Sequence, residues 1–226
     1  MKALILAAGL GQRLRPITLT KPKPLVIVAG KPLIVHHIER LAAAGVRDIV
    51  INYSWLGEKI TAALDNGEQW GVRISYSAEA EPLETGGGVF KAIPLLTNDV
   101  TDGLFIVING DVFSDYPIDN LPSRINGLAH LVMVDNPKFK VQGDFSLVAG
   151  RVDENGEELL TFSGISVLSA GLFKDCEHGI FPLAPLLRRA MSQGNVSGEY
   201  YNGYWTDVGT ISRLQTLEYY LSSGLS

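Results

Sequence analysis

Two glycines, two arginines and two lysines crowd into residues 9–23, where "LAAGLGQRLRP" (6–16) runs on into "KPKPLVIVAG" (21–30). The backbone amides around Gly9 and Gly11, the guanidiniums of Arg13 and Arg15 and the ammonium groups of Lys21 and Lys23 give a density of donors suited to a polyphosphate. Two common phosphate fingerprints do not fit. A dinucleotide turn needs Gly or Ala where Leu14 stands and an acidic residue about 20 positions on, and no G-K-[ST] closes a P-loop.

Carboxylates form the second constellation. "VINGDVF" (107–113) puts Asp111 just beyond an apolar run, at the edge where open α/β sheets bind ligands, so it can reach a metal; a strand-end Asp also serves as a turn former or helix cap. "WTDVGT" (205–210) supplies Asp207, which can equally cap a helix starting near Ile211, although Thr210 suits that purpose better. In "EPLETGGGVF" (81–90), three successive glycines allow backbone to approach a planar ligand, beside free amides of the helix expected to follow, or simply form a flexible loop. His36, His37, His130 and His178 show no metal-ligand spacing, and His37 and His130 read as core or interface side chains. No Ser/His/Asp order is present and Cys176 lies outside every motif, so a nucleophilic residue is not indicated.

The elements that must position these groups alternate in the first half. "ALILA" (3–7), "DIVIN" (48–52) and "LFIVI" (104–108) are apolar runs suited to strands buried on both faces, and "VRISYS" (72–77) has strand character. Between them, "PLIVHHIERLAAAG" (32–45) sets Leu33, His37, Leu41 and Ala44 along one helical stripe, with Pro32 at its start and Gly45 as its cap; residues 55–64 also have helical spacing. "VFKAIPLL" (89–96) predicts a helix that Pro94 ends or distorts. From residue 128 the pattern turns to "LAHLVMV", "DFSLV" and "TFSGISVL", then helices over 183–191 and 210–223. The fold class is α/β and Rossmann-like, a mostly parallel mixed sheet flanked by helices.

A chain of 226 residues, 46% apolar, with no linker or repeat, is expected to form one domain over 1–226. With 19 basic against 24 acidic residues it carries a net charge of −5, which argues against a nucleic-acid or anionic-membrane partner and makes any anion site local. One cysteine allows no internal disulfide, no run approaches the roughly 20 apolar residues of a membrane span, and no secretory leader pattern opens the chain. A cytoplasmic protein is expected, as a monomer or small homo-oligomer.

The signature L-A-A-G-x-G-x-R-[LM]-x-P followed by P-K-P, together with the two aspartate motifs and the glycine run, resembles the nucleotidyltransferases that activate sugar 1-phosphates. That resemblance implies a nucleotide-diphospho-sugar transferase (GT-A-like) fold, with about 1–112 as nucleotide-binding half and about 113–226 as sugar-binding half. It implies that Arg15, Lys23 and Asp111 are catalytic, and that Ala8, Gly9, Gly11, Gln12, Arg13 and Lys23 hold the triphosphate. Glu81, Gly86, Gly87 and Gly88 would then line the base pocket, and Asp111 and Asp207 would hold Mg²⁺. Asn109, Gly143 and Asp144 of "VQGDF" (141–145), and Ser163 and Gly164, match the sugar-contacting segments. One departure is plain: the E-K-P motif whose lysine binds the sugar phosphate is replaced by "ENGEELLTFSG" (154–164), leaving Lys138 or Lys140 as substitutes. Within the family, "EPLETGGG", "NGDVFSDY", "LVMVDNP" and "GYWTDVGT" look most like the branch that joins UTP to N-acetylmuramic acid (MurNAc) 1-phosphate in peptidoglycan recycling. UTP and a sugar 1-phosphate are therefore the expected partners. Guanylyl or thymidylyl transfer to mannose, heptose or glucose 1-phosphate is the alternative, and a catalytically silent regulatory subunit a further one.

Overall fold

The computed structural model describes residues 1–98, 103–138 and 140–223. The first strand, β1 (Lys2–Leu6), leads through the glycine turn to a short hairpin, β2 (Ile27–Val28) and β3 (Lys31–Pro32). Its two loop residues, Ala29 and Gly30, have φ of 47° and 83°, the positive values that a two-residue hairpin of the type I′ kind requires. Helix α1 (Leu33–Ala43) starts directly after Pro32. It ends in a Schellman motif: Gly45, at φ 81°, donates to the Ala42 carbonyl, and Val46 to that of Leu41.

The chain continues through β4 (Asp48–Tyr53), α2 (Gly57–Leu64), β5 (Arg73–Ala78), α3 (Glu84–Leu96) and β6 (Leu104–Asn109). Strand β1 pairs in parallel with β4 and β6, and β4 with β5. Their apolar runs are continuous because both faces are covered. Along β1, Ala3 and Ile5 join the core beneath α1 and α2, while Leu4 joins the opposite core beneath α3. Strands β4 and β6 divide their residues in the same alternating way.

The second half adds β7 (Val112–Ser114), β8 (Ala129–Val134), β9 (Ser146–Val148), β10 (Arg151–Asp153), β11 (Thr161–Ser169), α4 (Ala184–Ser192), β12 (Val196–Tyr200), β13 (Trp205–Asp207) and α5 (Ile211–Ser222). Nine strands make one sheet in the order β5-β4-β1-β6-β11-β8-β12-β10-β9, which runs through both halves of the chain. Strand β11 lies antiparallel between β6 and β8, and β12 is parallel to β8. The strands of the described sheet therefore point mostly one way, with β11 and β10 reversed. Strands β7 and β13 form a separate ladder that sets Asp207 opposite Val112, and α5 packs with Phe113, Val208 and the β2 region in a third small core.

One expected element differs. Helix α3 begins at Glu84, not Val89, so the three glycines are helical residues, and the helix runs through Pro94 to Leu96. Each helical glycine costs about 1 kcal/mol against alanine, so tertiary contacts must hold them there. No helix among the described residues is long and apolar enough to cross a membrane.

Candidate active site

Four parallel strands end at one edge. Leu6 closes β1, Asn52 is next to last in β4, Glu79 follows β5 and Asn109 closes β6; all four line a cleft of about 590 Å³. Ligands of open α/β sheets bind at this carboxyl edge. The glycine turn forms one wall: Ala8, Gly9, Gly11, Gln12 and Arg13 all face the cleft. Gly11 sits at φ 61°, and a Cβ there would lie 2.8 Å from the Thr18 methyl, while the Thr18 hydroxyl donates to the Gly11 carbonyl at 2.7 Å. Only glycine allows the turn to fold so closely onto Thr18. Arg15 is exposed on the same turn and is not among the residues lining the cleft.

The charged groups meet across this wall. Lys23, only 8% exposed, donates from Nζ to Asp111 Oδ2 at 2.9 Å. The Asp111 carbonyl accepts from Val208 N at 2.7 Å, which draws the turn after β13 against it and brings Asp207 to the neighbouring strand. Asp207 is ion-paired with Arg213 of α5, Oδ1 to Nε 2.7 Å. Thr210 caps α5, its hydroxyl accepting from Arg213 N, so Asp207 is left available for other contacts. Gly209 lines the cleft where Asp207 does not. Among the described residues no group of three His, Cys, Asp or Glu side chains could hold a metal. Two carboxylates with oxygen donors alone nevertheless fit Mg²⁺, which keeps several waters and completes its shell with substrate phosphates.

Asn52 and Glu79 escape sequence reasoning. Asn52 is 2% and Glu79 5% exposed. Asn52 Oδ1 accepts from Ala7 N at 2.7 Å, Asn52 Nδ2 donates to Glu79 Oε1 at 2.7 Å, and Glu79 Oε2 accepts from Leu83 N at 2.9 Å. This buried chain ties the start of the phosphate turn to the segment leading into α3. Its signal in the sequence was a polar residue ending one strand pattern and another just beyond a second, neither of which by itself has a partner to point to.

The glycine run explains the other side of that chain. A Cβ on Gly88 would lie 2.7 Å from Asn52 Nδ2 and 2.8 Å from Glu79 Oε1; on Gly87, 2.3 Å from the Gly179 carbonyl; on Gly86, 2.6 Å from the Phe181 ring. The three are buried, and their close approach is to the protein itself. At this rim Pro82, Glu84 and Thr85 line the cleft, while Glu81 is exposed outside it. Glu84 has φ 59°, a left-handed conformation uncommon outside glycine.

On the sugar side, Asn109 lines the cleft and Gly164, at φ 81°, packs against its side chain, where a Cβ would lie 2.6 Å from Nδ2. The positive φ falls in the register shift between β11 and β8, next to the Ile165–Ile108 pair that sets β11 against β6 and so beside Asn109. Ser163 is buried, its hydroxyl accepting from Ile165 N and its carbonyl from the Trp205 indole. Gly143 lies tight against the Leu159 carbonyl. Asp144 accepts from Phe162 N at 2.9 Å and pairs with Lys140 at 2.5 Å. Lys140 thus already has an anionic partner, which is itself bonded to Phe162 N, two residues before Gly164 in β11. His37 is buried beneath this edge; burial, with Arg40 and His36 beside it, lowers its pKa to about 3, against an opposing pull from the Val112 backbone and Asp111. His130 bonds Ser197 Oγ, and Cys176 is half-buried and unpaired in any disulfide.

A family model of nucleotidyl transferases matches residues 2–136. The chain is 47% identical over 227 residues to N-acetylmuramate alpha-1-phosphate uridylyltransferase of Neisseria meningitidis, covering 95% of this chain and 96% of that enzyme. It is 37% identical to mannose-1-phosphate guanyltransferase of Aspergillus fumigatus, across 92% of this chain but 61% of that enzyme. The crystal structure of HddC from Yersinia pseudotuberculosis complexed with GMP-PN superposes with a TM-score of 0.80 at 24% identity, covering 97% and 99% of the two chains, which shows the fold. On the family match and the near-full-length likeness to the Neisseria enzyme, the chain belongs to the nucleotidyl transferase family.

Proposed function

We propose that this enzyme transfers the uridylyl group of UTP to N-acetylmuramic acid α-1-phosphate, giving UDP-MurNAc and pyrophosphate, in the cytoplasm as part of peptidoglycan recycling. The observation that carries nucleotidyl transfer is the strand-end cleft where the glycine turn faces Lys23 paired with Asp111. The choice of uridylyl donor and muramic acceptor is supported by the Neisseria enzyme, matched over 96% of its length, where the guanyltransferase is matched over 61%.

The acceptor phosphate is already an anionic nucleophile, so little proton transfer is needed. Its oxygen attacks the α-phosphorus in line; the new P–O bond forms as the bond to pyrophosphate breaks, and the barrier is largely the repulsion and alignment of two anions. The amides of Ala8, Gly9 and Gly11, with Gln12 and Arg13, cradle the triphosphate; Arg15 on the same turn and Lys23 offset its charge. Asp111 and Asp207 would hold Mg²⁺, which when bound neutralises the triphosphate further. Pro82, Glu84 and Thr85 give the base its wall, supported from behind by Gly86, Gly87 and Gly88, with Glu81 at its exposed end. Asn109 and Gly164 receive the sugar, with Gly143, Asp144 and Ser163 shaping that end, all within one domain.

Pyrophosphate release with Mg²⁺, measured for UTP, GTP, dTTP and CTP against the 1-phosphates of MurNAc, GlcNAc, glucose and mannose, tests the reading. Turnover confined to UTP with MurNAc 1-phosphate is expected. Preference for GTP with mannose 1-phosphate would reassign the branch, and silence across the panel would refute the proposed activity.

A further inference from the structure

Arg213 belongs to no sequence motif, yet it lies against one of the two carboxylates proposed as metal ligands. Its Nε stands 2.7 Å from Asp207 Oδ1, at an angle outside hydrogen-bond geometry, and the two side chains are 17% and 21% exposed. Lys23 also pairs with Asp111, here through a hydrogen bond of 2.9 Å, with the two side chains 10% and 42% exposed. Gly209 sets Arg213 beside the phosphate turn: a Cβ there would lie 2.4 Å from one Arg213 Nη and 3.1 Å from one Arg13 Nη, and the preceding Val208 N donates to the Asp111 carbonyl at 2.7 Å. Two cation–carboxylate pairs therefore flank the Val208–Gly209 segment, with Arg13 of the phosphate turn beside Arg213.

Partly buried like charges a few ångström apart repel far more than they do in water, so a divalent cation approaching Asp207 is opposed by Arg213. A cation this far out of solvent is also costly to leave without its anion. A polyphosphate entering beside Arg13 supplies a replacement anion, and the guanidinium can pass from carboxylate to phosphate without a bare intermediate. We infer that Arg213 is a positioning residue that keeps Asp207 closed to a divalent cation until a polyphosphate takes over the arginine, so that metal and nucleotide are taken up together. The inference rests on the proposed metal role of Asp111 and Asp207.

Mn²⁺ titrated into the nucleotide-free protein at low salt, with unbound ion followed by electron paramagnetic resonance, reads this without turnover. Arg213→Gln is expected to tighten Mn²⁺ binding about tenfold or more, while Arg213→Lys, which keeps the charge, stays within about twofold of wild type. Arg189→Gln on α4, which removes the same charge from a pair with Asp175, also stays within about twofold. In EDTA the sign reverses: Arg213→Gln is expected to weaken UTP binding about threefold or more, through loss of a charged phosphate contact. Thermal melting establishes that each variant folds, and Arg213→Met replaces the glutamine variant if that one does not. Unchanged or weaker Mn²⁺ binding in the neutral variant, with Asp207→Asn losing Mn²⁺ as expected, would overturn the gating role alone. Unchanged UTP binding in EDTA would overturn the exchange onto phosphate. Wild-type Mn²⁺ affinity in Asp207→Asn would instead remove the metal assignment and this inference with it.

Discussion

Asn52→Ala takes the central member out of the buried chain behind the cleft. Two groups lose their partners: Ala7 N, 2.7 Å from Asn52 Oδ1, and Glu79 Oε1, 2.7 Å from Asn52 Nδ2. With Asn52 at 2% and Glu79 at 5% exposure, water does not readily replace the lost amide. An orphaned buried amide costs about 1–3 kcal/mol and a charged acceptor somewhat more, so a loss of about 3–5 kcal/mol is expected. Urea unfolding followed by tryptophan fluorescence measures it, with Asn66→Ala as reference, because Asn66 is exposed and its side chain accepts from Glu68 N at the surface. Gly88→Ala attacks the same chain from the opposite side, since its Cβ would stand 2.7 Å from Asn52 Nδ2; crowding of this kind costs about 1–3 kcal/mol. A cost below about 1 kcal/mol for Asn52→Ala, no greater than that of the exposed reference, would refute the view that this chain holds the two loops together.

Asp111→Asn is expected to abolish pyrophosphate release while the melting temperature stays near wild type, and retained turnover would remove Asp111 from the proposed metal site. Glu84→Gly relieves a side chain held at φ 59° and is expected to raise the urea midpoint by the equivalent of about 1 kcal/mol, with the slope unchanged; a lower midpoint would mean that the Glu84 side chain makes compensating contacts. Stability is also expected to depend on pH through His37. The unfolded chain takes up its proton near pH 6.5, whereas the fold resists doing so down to about pH 3, so stability falls as pH drops through that window. His37→Gln is expected to flatten that fall between pH 7 and 4, and equal slopes in the two proteins would place the acid sensitivity elsewhere.

The parts that local sequence determined are those in which one residue type repeated at a set interval carries the information. The runs at β1, β4 and β6 were legible because a strand buried on both faces needs apolar residues at every position, and the α1 stripe because its core face recurs every three to four residues. The glycine turn was likewise visible as a dense cluster of donors beside a strand end and Asp111 as a carboxylate just beyond another, while Asp207 stood before a helix it could equally cap. Local pattern could not place the start of α3, because a glycine run reads as loop until Phe181, Gly179 and the Asn52–Glu79 pair are seen to require the missing side chains. Nor could it find Asn52, Glu79 or Arg213, or pair Lys23 with Asp111 across 88 positions of chain. A single polar residue has no periodicity. Its role depends on which distant donor or acceptor the fold brings within about 3 Å, and only the tertiary structure decides that.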